Sequence, residues 1–139
     1  MSENGRDIVW LDVSDVVLLH AAMMRERGRA PQPLRDAGGL ESAVMRPRML
    51  AYYEGEHDIV ELAAVLGSGI SQVQAFLDGN KRTAFVSMRV FPDQNGLRFA
   101  TDPIDVAKQL EAIAEGPDRG AATAAFGEWL RANVAPRTP

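Results

Sequence analysis

One segment of this chain is apolar on every side of a helix, and it constrains the fold more than any other feature. Its apolar residues are Ala84, Phe85, Val86, Met88, Val90 and Phe91. Side chains at these spacings point in all directions around a helical axis, so the helix is stable only where other elements surround it. The segment therefore predicts a central, buried helix that begins at Asn80 and ends at Pro92 and Asn95-Gly96.

Helical spacing also dominates the rest of the chain. The further predicted helices run from residue 12 or 14 to 27, from 40 to 45 before Pro47, from 58 towards 76, from 103 to 115, and from 118 to 134. The other segments are 30–39, a loop or short hairpin rich in Pro and Gly, 97–100, a short strand, and 135–139, a frayed tail. We therefore expect a single all-α domain over residues 1–139 with at most a small β-hairpin.

The composition excludes several kinds of chemistry. Without cysteine the chain has no disulfide, no thiolate nucleophile and no cysteine-ligated zinc, which fits a reducing cytoplasm. The first residues, MSENGRDIVW, do not form a secretory signal, and no stretch has the ~18 apolar residues of a membrane span. A net charge of -4 argues against general nucleic-acid binding but allows a local basic pocket. We expect a cytoplasmic protein without a nucleic-acid or membrane partner.

The turn that precedes the apolar helix has the residue types of a phosphate-binding site. A helix N-terminus exposes unpaired N–H groups and the positive end of the helix dipole. Gly79 allows a positive φ and close approach of a ligand, and Asn80 can cap the helix or bind a phosphate oxygen. Lys81 and Arg82 add two cations where the dipole disfavours them unless an anion is bound. Asp78 supplies the hard oxygen that a phosphate-bound Mg²⁺ takes from protein.

An ordinary Asp-Gly-Asn turn with two solvated cations is the alternative interpretation. Such turns are common, and residue spacing alone slightly favours this alternative. The position of Lys81 and Arg82 at the start of the most apolar helix favours the anion site instead. Two adjacent cations at that place require a partner that cations on a surface turn do not need.

The run from Phe76 to Phe85 resembles the signature of the Fic/Doc family in its death-on-curing branch, His-Pro-Phe-x-Asp-Gly/Ala-Asn-Lys-Arg-Thr. Other segments follow the order of that branch, namely Leu19-His20, Arg35-Asp36-Ala37-Gly38-Gly39-Leu40-Glu41-Ser42-Ala43-Val44 with Arg46-Pro47, Leu62-Ala63-Ala64, and Phe91 followed by Asn95-Gly96. The resemblance covers most of the chain. It implies a compact helical fold whose active-site loop precedes the central helix, with residues 31–39 as a flap that aligns a target peptide.

Members of this family transfer a phosphate or a nucleotide monophosphate from a nucleoside triphosphate to a protein hydroxyl. The resemblance implies that Asp78 holds Mg²⁺ and that Arg82 neutralises the outer phosphates of ATP. It also implies that Gly79 and Asn80 form the anion-binding nest. Lys81 replaces the glycine of the AMP-transferring members, which favours the death-on-curing branch and implies a kinase that acts on translation elongation factor Tu.

Gln74 is the main departure from the family pattern. The catalytic histidine of the family stands two residues before Phe76, where this chain has Gln74 between Val73 and Ala75. A carboxamide cannot take a proton near neutral pH, and loss of a general base costs ~10²–10⁴-fold in rate. A single engineered replacement does not explain all of these differences, so natural divergence is favoured. We expect His20 to be packed in the first helix and His57 to be exposed, and neither is a convincing replacement.

Two main functional hypotheses follow, and a purely structural helical domain is a remote third. The first is a toxin-like transferase with chemistry altered or weakened by Gln74, which the retained phosphate-binding residues favour. The second is a catalytically inactive homologue that binds a nucleotide or a protein partner, which Gln74 favours. The resemblance also implies a separate antitoxin, because Glu115-Gly116, the best end for an internal inhibitory helix, has Glu111 where Ser or Thr is required.

Overall fold

The computed structural model of the protein describes residues 7–99, 105, 106, 108, 109, 111, 112 and 118–136. In chain order its elements are α1 (Val13–Glu26), α2 (Ala37–Glu54), α3 (Ile59–Val73), α4 (Asn80–Gln94), β1 (Leu97–Phe99), α5 (Arg119–Arg131) and β2 (Val134–Pro136). Residues 105, 106, 108, 109, 111 and 112 are helical as well. The predicted all-α fold with a small pair of β-strands is confirmed.

The central helix α4 lies where its apolar sequence predicts. Its buried residues are Thr83, Ala84, Ser87, Met88, Phe91 and Pro92. It packs chiefly against α3, and α1 and β1 also contact it. Phe85 and Val90 are half-buried, and the exposed Arg89 lies over the ring of Phe85, 5.8 Å from its centroid. The helix is therefore enclosed on most sides, and an arginine side chain partly covers the remaining face.

Small residues let two helices approach α3 closely. On Gly67 a β-carbon would lie 2.9 Å from the sulfur of Met88 in α4. On Gly69 a β-carbon would lie 3.2 Å from Cβ of Ala43 in α2. Contacts this short are rare for real β-carbons, so larger residues at either position would move a neighbour. The close packing fixes α3 between α2 and α4 and thereby positions the loop that follows α3.

Two prolines lie inside helices that the sequence predicts to end near them. The helix predicted over residues 40–45 extends to Glu54, with Pro47 buried inside it and Gly55 ending it at a φ of 70°. Pro92 likewise lies inside α4, although Asn95-Gly96 does end that helix as predicted. A proline removes one backbone hydrogen bond from a helix, and burial of both rings in the core offsets this cost.

Helix α2 also begins earlier than the sequence predicts. Its first residue, Ala37, lies inside the segment predicted as a loop over residues 30–39. The carboxylate of Asp36 accepts a hydrogen bond from the N–H of Gly39 at 2.8 Å and thereby caps the helix. The cap supplies an acceptor for the exposed first turn, which allows two glycines to be helical there.

The small sheet joins segments for which the sequence predicts different structures. β1 pairs antiparallel with β2, and Arg98 is opposite Ala135 in the register. β1 agrees with the predicted strand, whereas β2 occupies the predicted end of the last helix and the start of the predicted frayed tail. That helix, α5, ends at Arg131, and pairing with β1 orders the residues that follow. Residues 100–104, 107, 110, 113–117 and 137–139 of the predicted segments lie outside the described residues.

Candidate functional site

The loop between α3 and α4 carries the predicted site residues. Both of its ends lie in the left-handed backbone region, with Gln74 at a φ of 48° and Gly79 at a φ of 82°. Glycine adopts this conformation readily, whereas Gln74 is the single non-glycine residue with a positive φ among the described residues. The two tight turns bring the last turn of α3 and the first turn of α4 to one cleft.

Asn80 closes this loop. Its Oδ1 accepts a hydrogen bond from the N–H of Phe76 at 2.9 Å, and its Nδ2 donates to the carbonyl of Phe76 at 2.8 Å. The oxygen and the nitrogen of the side-chain amide thus both bond to the backbone of one residue, Phe76. The peptide groups of a neighbouring β-strand would bond to it in the same way. The side chain of Asn80 therefore shapes the loop, and its backbone N–H is the group that the first turn of α4 presents to a ligand.

The segment predicted as a flap, residues 31–39, lies along this loop. Leu34 forms an isolated antiparallel bridge with Phe76. The N–H of Arg35 also donates to the carbonyl of Ala75 at 2.7 Å. The flap is therefore hydrogen-bonded directly to the residues that precede the predicted phosphate site, and the two segments hold each other in place.

A chain of hydrogen bonds through the buried His20 connects α1, the flap and the loop. Nε2 of His20 accepts from the N–H of Gln32 at 3.1 Å, which places the ring proton on Nδ1. Nδ1 then donates to Oγ1 of Thr83 at 2.9 Å, and this hydroxyl donates to the carbonyl of Gly79 at 2.7 Å. The imidazole also stacks on Phe76, with ring centroids 3.9 Å apart and an angle of 6° between the planes.

His20 is therefore a structural histidine and not a general base. Both ring nitrogens are engaged, and only 1% of the residue is exposed. Burial lowers the pKa of His20 below its ordinary value of 6.5, although the charge of Asp78 acts in the opposite direction. His57 lies exposed before α3. The predictions of a packed His20 and an exposed His57 are both confirmed.

Gly79 is held tightly against α1. A β-carbon on Gly79 would lie 3.0 Å from the sulfur of Met24 and 3.3 Å from Cε1 of His20. The positive φ and this lack of space both require glycine at the start of α4. The close approach brings the residues at the end of α1 next to the N-terminus of α4.

A basic cleft of about 380 Å³ opens where these elements meet. Its wall consists of Met24, Arg27, Arg29, Ser71, Gln74, Leu77, Asp78, Gly79, Asn80, Lys81 and Arg82. Every predicted site residue, from Gln74 to Arg82, is thus part of one wall. Four of the wall residues are cations and one is an acid, in a chain whose net charge is -4. A basic cleft at a helix N-terminus favours an anionic ligand.

The two cations of the motif have different surroundings. Nζ of Lys81 lies 3.1 Å from Oε2 of Glu111, and both side chains are about half exposed. Arg82 is exposed and forms no ion pair with a residue that the structure describes. Within the described residues, α4 also lacks a side-chain cap. The N–H groups of its first turn and the guanidinium of Arg82 therefore remain open to an anion.

Asp78, the predicted metal ligand, is held by protein groups. Its Oδ1 accepts from the N–H of Gly79 at 2.8 Å, and its Oδ2 lies 2.8 Å from Nη2 of Arg29. Among the described residues, no group of three or more His, Asp or Glu side chains could hold a metal ion. A single carboxylate fits a Mg²⁺ that arrives with phosphate oxygens and water, and it does not fit a metal held by protein alone.

Sequence reasoning missed the part of the cleft that does not come from the motif. Arg27 and Arg29 enter it from the end of α1, and Ser71 enters it from the last turn of α3. For Arg27 and Arg29 the available sequence signal was their position on either side of Gly28, the predicted end of the helix. Ser71 had no comparable signal, because a serine inside an apolar helix is compatible with any buried position.

The backbone of Gln74 leads to a prediction about stability. We expect Gln74→Gly to raise the free energy of unfolding by about 1 kcal/mol, because a non-glycine residue in the left-handed region carries roughly that cost. Gln74→Ala is the control, since it removes the carboxamide but keeps the β-carbon, and we expect no gain from it. Urea unfolding followed by circular dichroism measures both changes. A Gln74→Gly variant less stable than the parent would contradict the positive φ.

The environment of His20 leads to a prediction about pH. Because its folded pKa lies below 6.5, the unfolded chain binds a proton at higher pH than the folded protein does. The free energy of unfolding should therefore fall as the pH drops through 6.5 towards the folded pKa, and His20 should contribute no pH dependence above that window. His20→Asn should lack this component. An NMR titration of the two histidines checks the cause, and a His20 signal that titrates at or above 6.5 would contradict it.

Comparison with known proteins assigns this arrangement to a family. The model of the Fic/DOC family matches residues 10–92, which is more than half of the chain. Toxin Doc from Mycolicibacterium smegmatis is 35% identical over 79 residues, which is 55% of this chain and 61% of that protein. The match thus spans less than two thirds of the length of that relative. With the cleft, the loop and this match in agreement, the chain belongs to the Fic/DOC family.

Proposed function

We propose that this chain is a Doc-like toxin protein that binds ATP through its phosphates and transfers a phosphate or nucleotide monophosphate, weakly, to a hydroxyl of a target protein. The basic cleft at the uncapped N-terminus of α4 is the observation that carries the proposal. The family match and the similarity to Toxin Doc support a Doc-like toxin. The phosphates would lie where the anion-seeking groups of the cleft converge.

Arg82 and the first turn of α4 would bind the phosphate oxygens. Arg82 forms no ion pair with a residue that the structure describes. Its guanidinium therefore need not leave any of those residues to make a bidentate contact with phosphate oxygens. The backbone N–H of Asn80 lies at the same helix end, beside Gly79, whose positive φ opens the helix. Lys81 would exchange Glu111 for a phosphate, which costs little because exposed ion pairs are weak.

Asp78 would hold the magnesium ion that accompanies ATP. Its partner Arg29 would leave Oδ2, and this exposed pair is also weak. The released guanidinium stays in the cleft wall and can turn towards the phosphates. When bound, the ion neutralises negative charge on the phosphate oxygens.

Gln74 limits the reaction that the cleft can support. Its exposed carboxamide can accept a hydrogen bond from a target hydroxyl but cannot take the proton. His20 cannot take over this role, because its ring nitrogens are committed to Gln32 and Thr83. We expect a rate ~10²–10⁴-fold below that of a protein with a general base at this position.

The second candidate function is a catalytically inactive homologue that binds a nucleotide or a protein partner. Gln74 favours it, since the residue occupies the position of the family histidine and carries no proton-transfer chemistry. The intact cleft wall is compatible with both candidates, because binding requires the cations and not the base. Transfer of a label therefore decides between them.

The similarity to Toxin Doc supports an antitoxin as a partner. We propose a separate antitoxin protein as the regulator and a translation factor as the target, in the cytoplasm. The net charge of -4 supports ATP rather than a nucleic acid as the ligand of the one basic cleft described. No helix in the described part of the chain is both long and apolar enough to cross a membrane.

Labelled ATP tests the proposed function. Purified protein is incubated with a cell lysate, Mg²⁺ and ATP labelled at the α- or the γ-phosphate. We expect one label to reach a lysate protein, Arg82→Ala to abolish the transfer, and Gln74→His to raise it by ~10²–10⁴-fold. Arg89→Ala is the matched control, because Arg89 is exposed on the same helix but is not part of the cleft wall.

The outcomes separate the two candidates. Label transfer that depends on Arg82 and not on Arg89 excludes the inactive homologue. Calorimetric binding of Mg-ATP without any transfer, even in the Gln74→His variant, supports the inactive homologue and overturns the transferase. Absence of both binding and transfer overturns both candidates.

A further inference from the structure

We propose that the hydroxyl of Ser71 is a further ligand-binding group of the cleft and that it donates a hydrogen bond to a phosphate oxygen. The inference rests on the proposed function, because it requires an anion in the cleft. It extends the site from the loop and the first turn of α4 to the last turn of α3. It also adds a neutral side-chain donor to the proposed phosphate-binding groups, which are otherwise cationic side chains and backbone N–H groups.

The first observation is a buried hydroxyl without a partner. Ser71 is only 4% exposed, and its Oγ makes no hydrogen bond with any residue in the described part of the chain. A buried polar group without a partner is unfavourable and uncommon in folded proteins. Ser71 is nevertheless part of the cleft wall, together with Gln74 and Arg82. Its Oγ has almost no accessible surface, so the side chain would turn towards the cleft to meet a ligand there, and that ligand would supply the missing partner.

Two other serines allow a structural explanation to be separated from a functional one. Ser68 and Ser87 are also buried, and their hydroxyls also lack partners among the described residues. Any of these serines can rotate its hydroxyl towards a carbonyl of the preceding helical turn, which would explain all three in the same way. Their positions differ, however, because Ser71 belongs to the cleft wall and the other two do not. Ser68 and Ser87 are therefore matched controls.

The composition of the wall indicates which part of a nucleotide Ser71 meets. The described lining residues include no aromatic ring on which a nucleobase could stack, and Met24 and Leu77 are the large apolar side chains among them. The remaining wall is mainly cationic, and it includes the first turn of α4. Such a wall selects phosphate groups over a base. A hydroxyl donor in this wall adds a contact of the kind that phosphate oxygens accept.

Calorimetry with two probes tests the inference. The binding of Mg-ATP and of magnesium tripolyphosphate is measured for the whole protein and for Ser71→Ala, Ser68→Ala and Ser87→Ala. We expect Ser71→Ala to raise the Kd by about tenfold for both probes, because one hydrogen bond to a charged group is lost. We expect the two control variants to stay within about twofold of the parent, since their hydroxyls do not reach the cleft.

A second variant protects the test against misfolding. Ser71→Cys keeps a polar atom on the β-carbon, somewhat larger than the hydroxyl oxygen, but donates only weakly, so it should weaken the binding of both probes as Ser71→Ala does. Thermal unfolding confirms that each variant is folded before binding is measured. If Ser71→Ala does not fold, the Ser71→Cys result decides in its place.

Three results would overturn the role of Ser71 while leaving the proposed function intact. The first is an unchanged Kd in the Ser71 variants, and the second is an equal rise in Kd for the variants at all three serine positions. The third is a higher Kd for Mg-ATP with an unchanged Kd for magnesium tripolyphosphate. The last result would place the hydroxyl on the nucleoside and not on the phosphates. A parent protein that binds neither probe would overturn the proposed function and the inference together.

Discussion

The hydrogen bonds of the buried His20 fix the start of α4, and the cleft depends on them. The neutral ring accepts from Gln32 and donates to Thr83, whose hydroxyl in turn donates to the carbonyl of Gly79. This carbonyl belongs to the residue whose positive φ opens the helix. One imidazole therefore connects the flap, α1 and the N-terminus of α4. Because every group in this chain of bonds is uncharged and paired, burial does not carry the cost of an isolated charge.

The cleft itself is held together by interactions of a different kind. Arg29 pairs with Asp78, and Lys81 pairs with Glu111, in both cases with side chains about half exposed. Exposed pairs of this type contribute about 0–1 kcal/mol, so a polyanion with its magnesium can replace them at small cost. The scaffold thus relies on neutral hydrogen bonds around a buried histidine, while the charged groups of the cleft wall rely on weak pairs. This division lets the site change partners without disturbing the fold.

The sequence predicts the features that depend on local pattern. The apolar repeat of α4 and the grouping of Asp78 to Arg82 are set by neighbouring residues, and the structure places them as expected. The extension of α2 through Pro47 was not predictable in this way, because burial of that ring depends on helices far along the chain. β2 was missed for a similar reason, since its order comes from pairing with β1.

The candidate site shows the same limit. Its motif was readable because the residues from Asp78 to Arg82 are consecutive, whereas Arg29 and Ser71 join the cleft only through the packing of α1 and α3. The left-handed conformation of Gln74 also has no signature in residue type, since glutamine seldom adopts it. All three residues belong to the wall of the cleft, and Arg29 adds to its positive charge. Their roles emerge from the fold and from the wall that it assembles.

The central claim is that the N-terminus of α4 binds the phosphates of ATP. An NMR titration of the ¹⁵N-labelled protein with Mg-ATP tests it most directly, because backbone amide signals report on individual residues. The account predicts saturable shifts that are largest for the N–H groups of Asn80, Lys81 and Arg82, with little change at Arg89 on the same helix. Shifts confined to other parts of the protein, or none at saturating Mg-ATP, would contradict it.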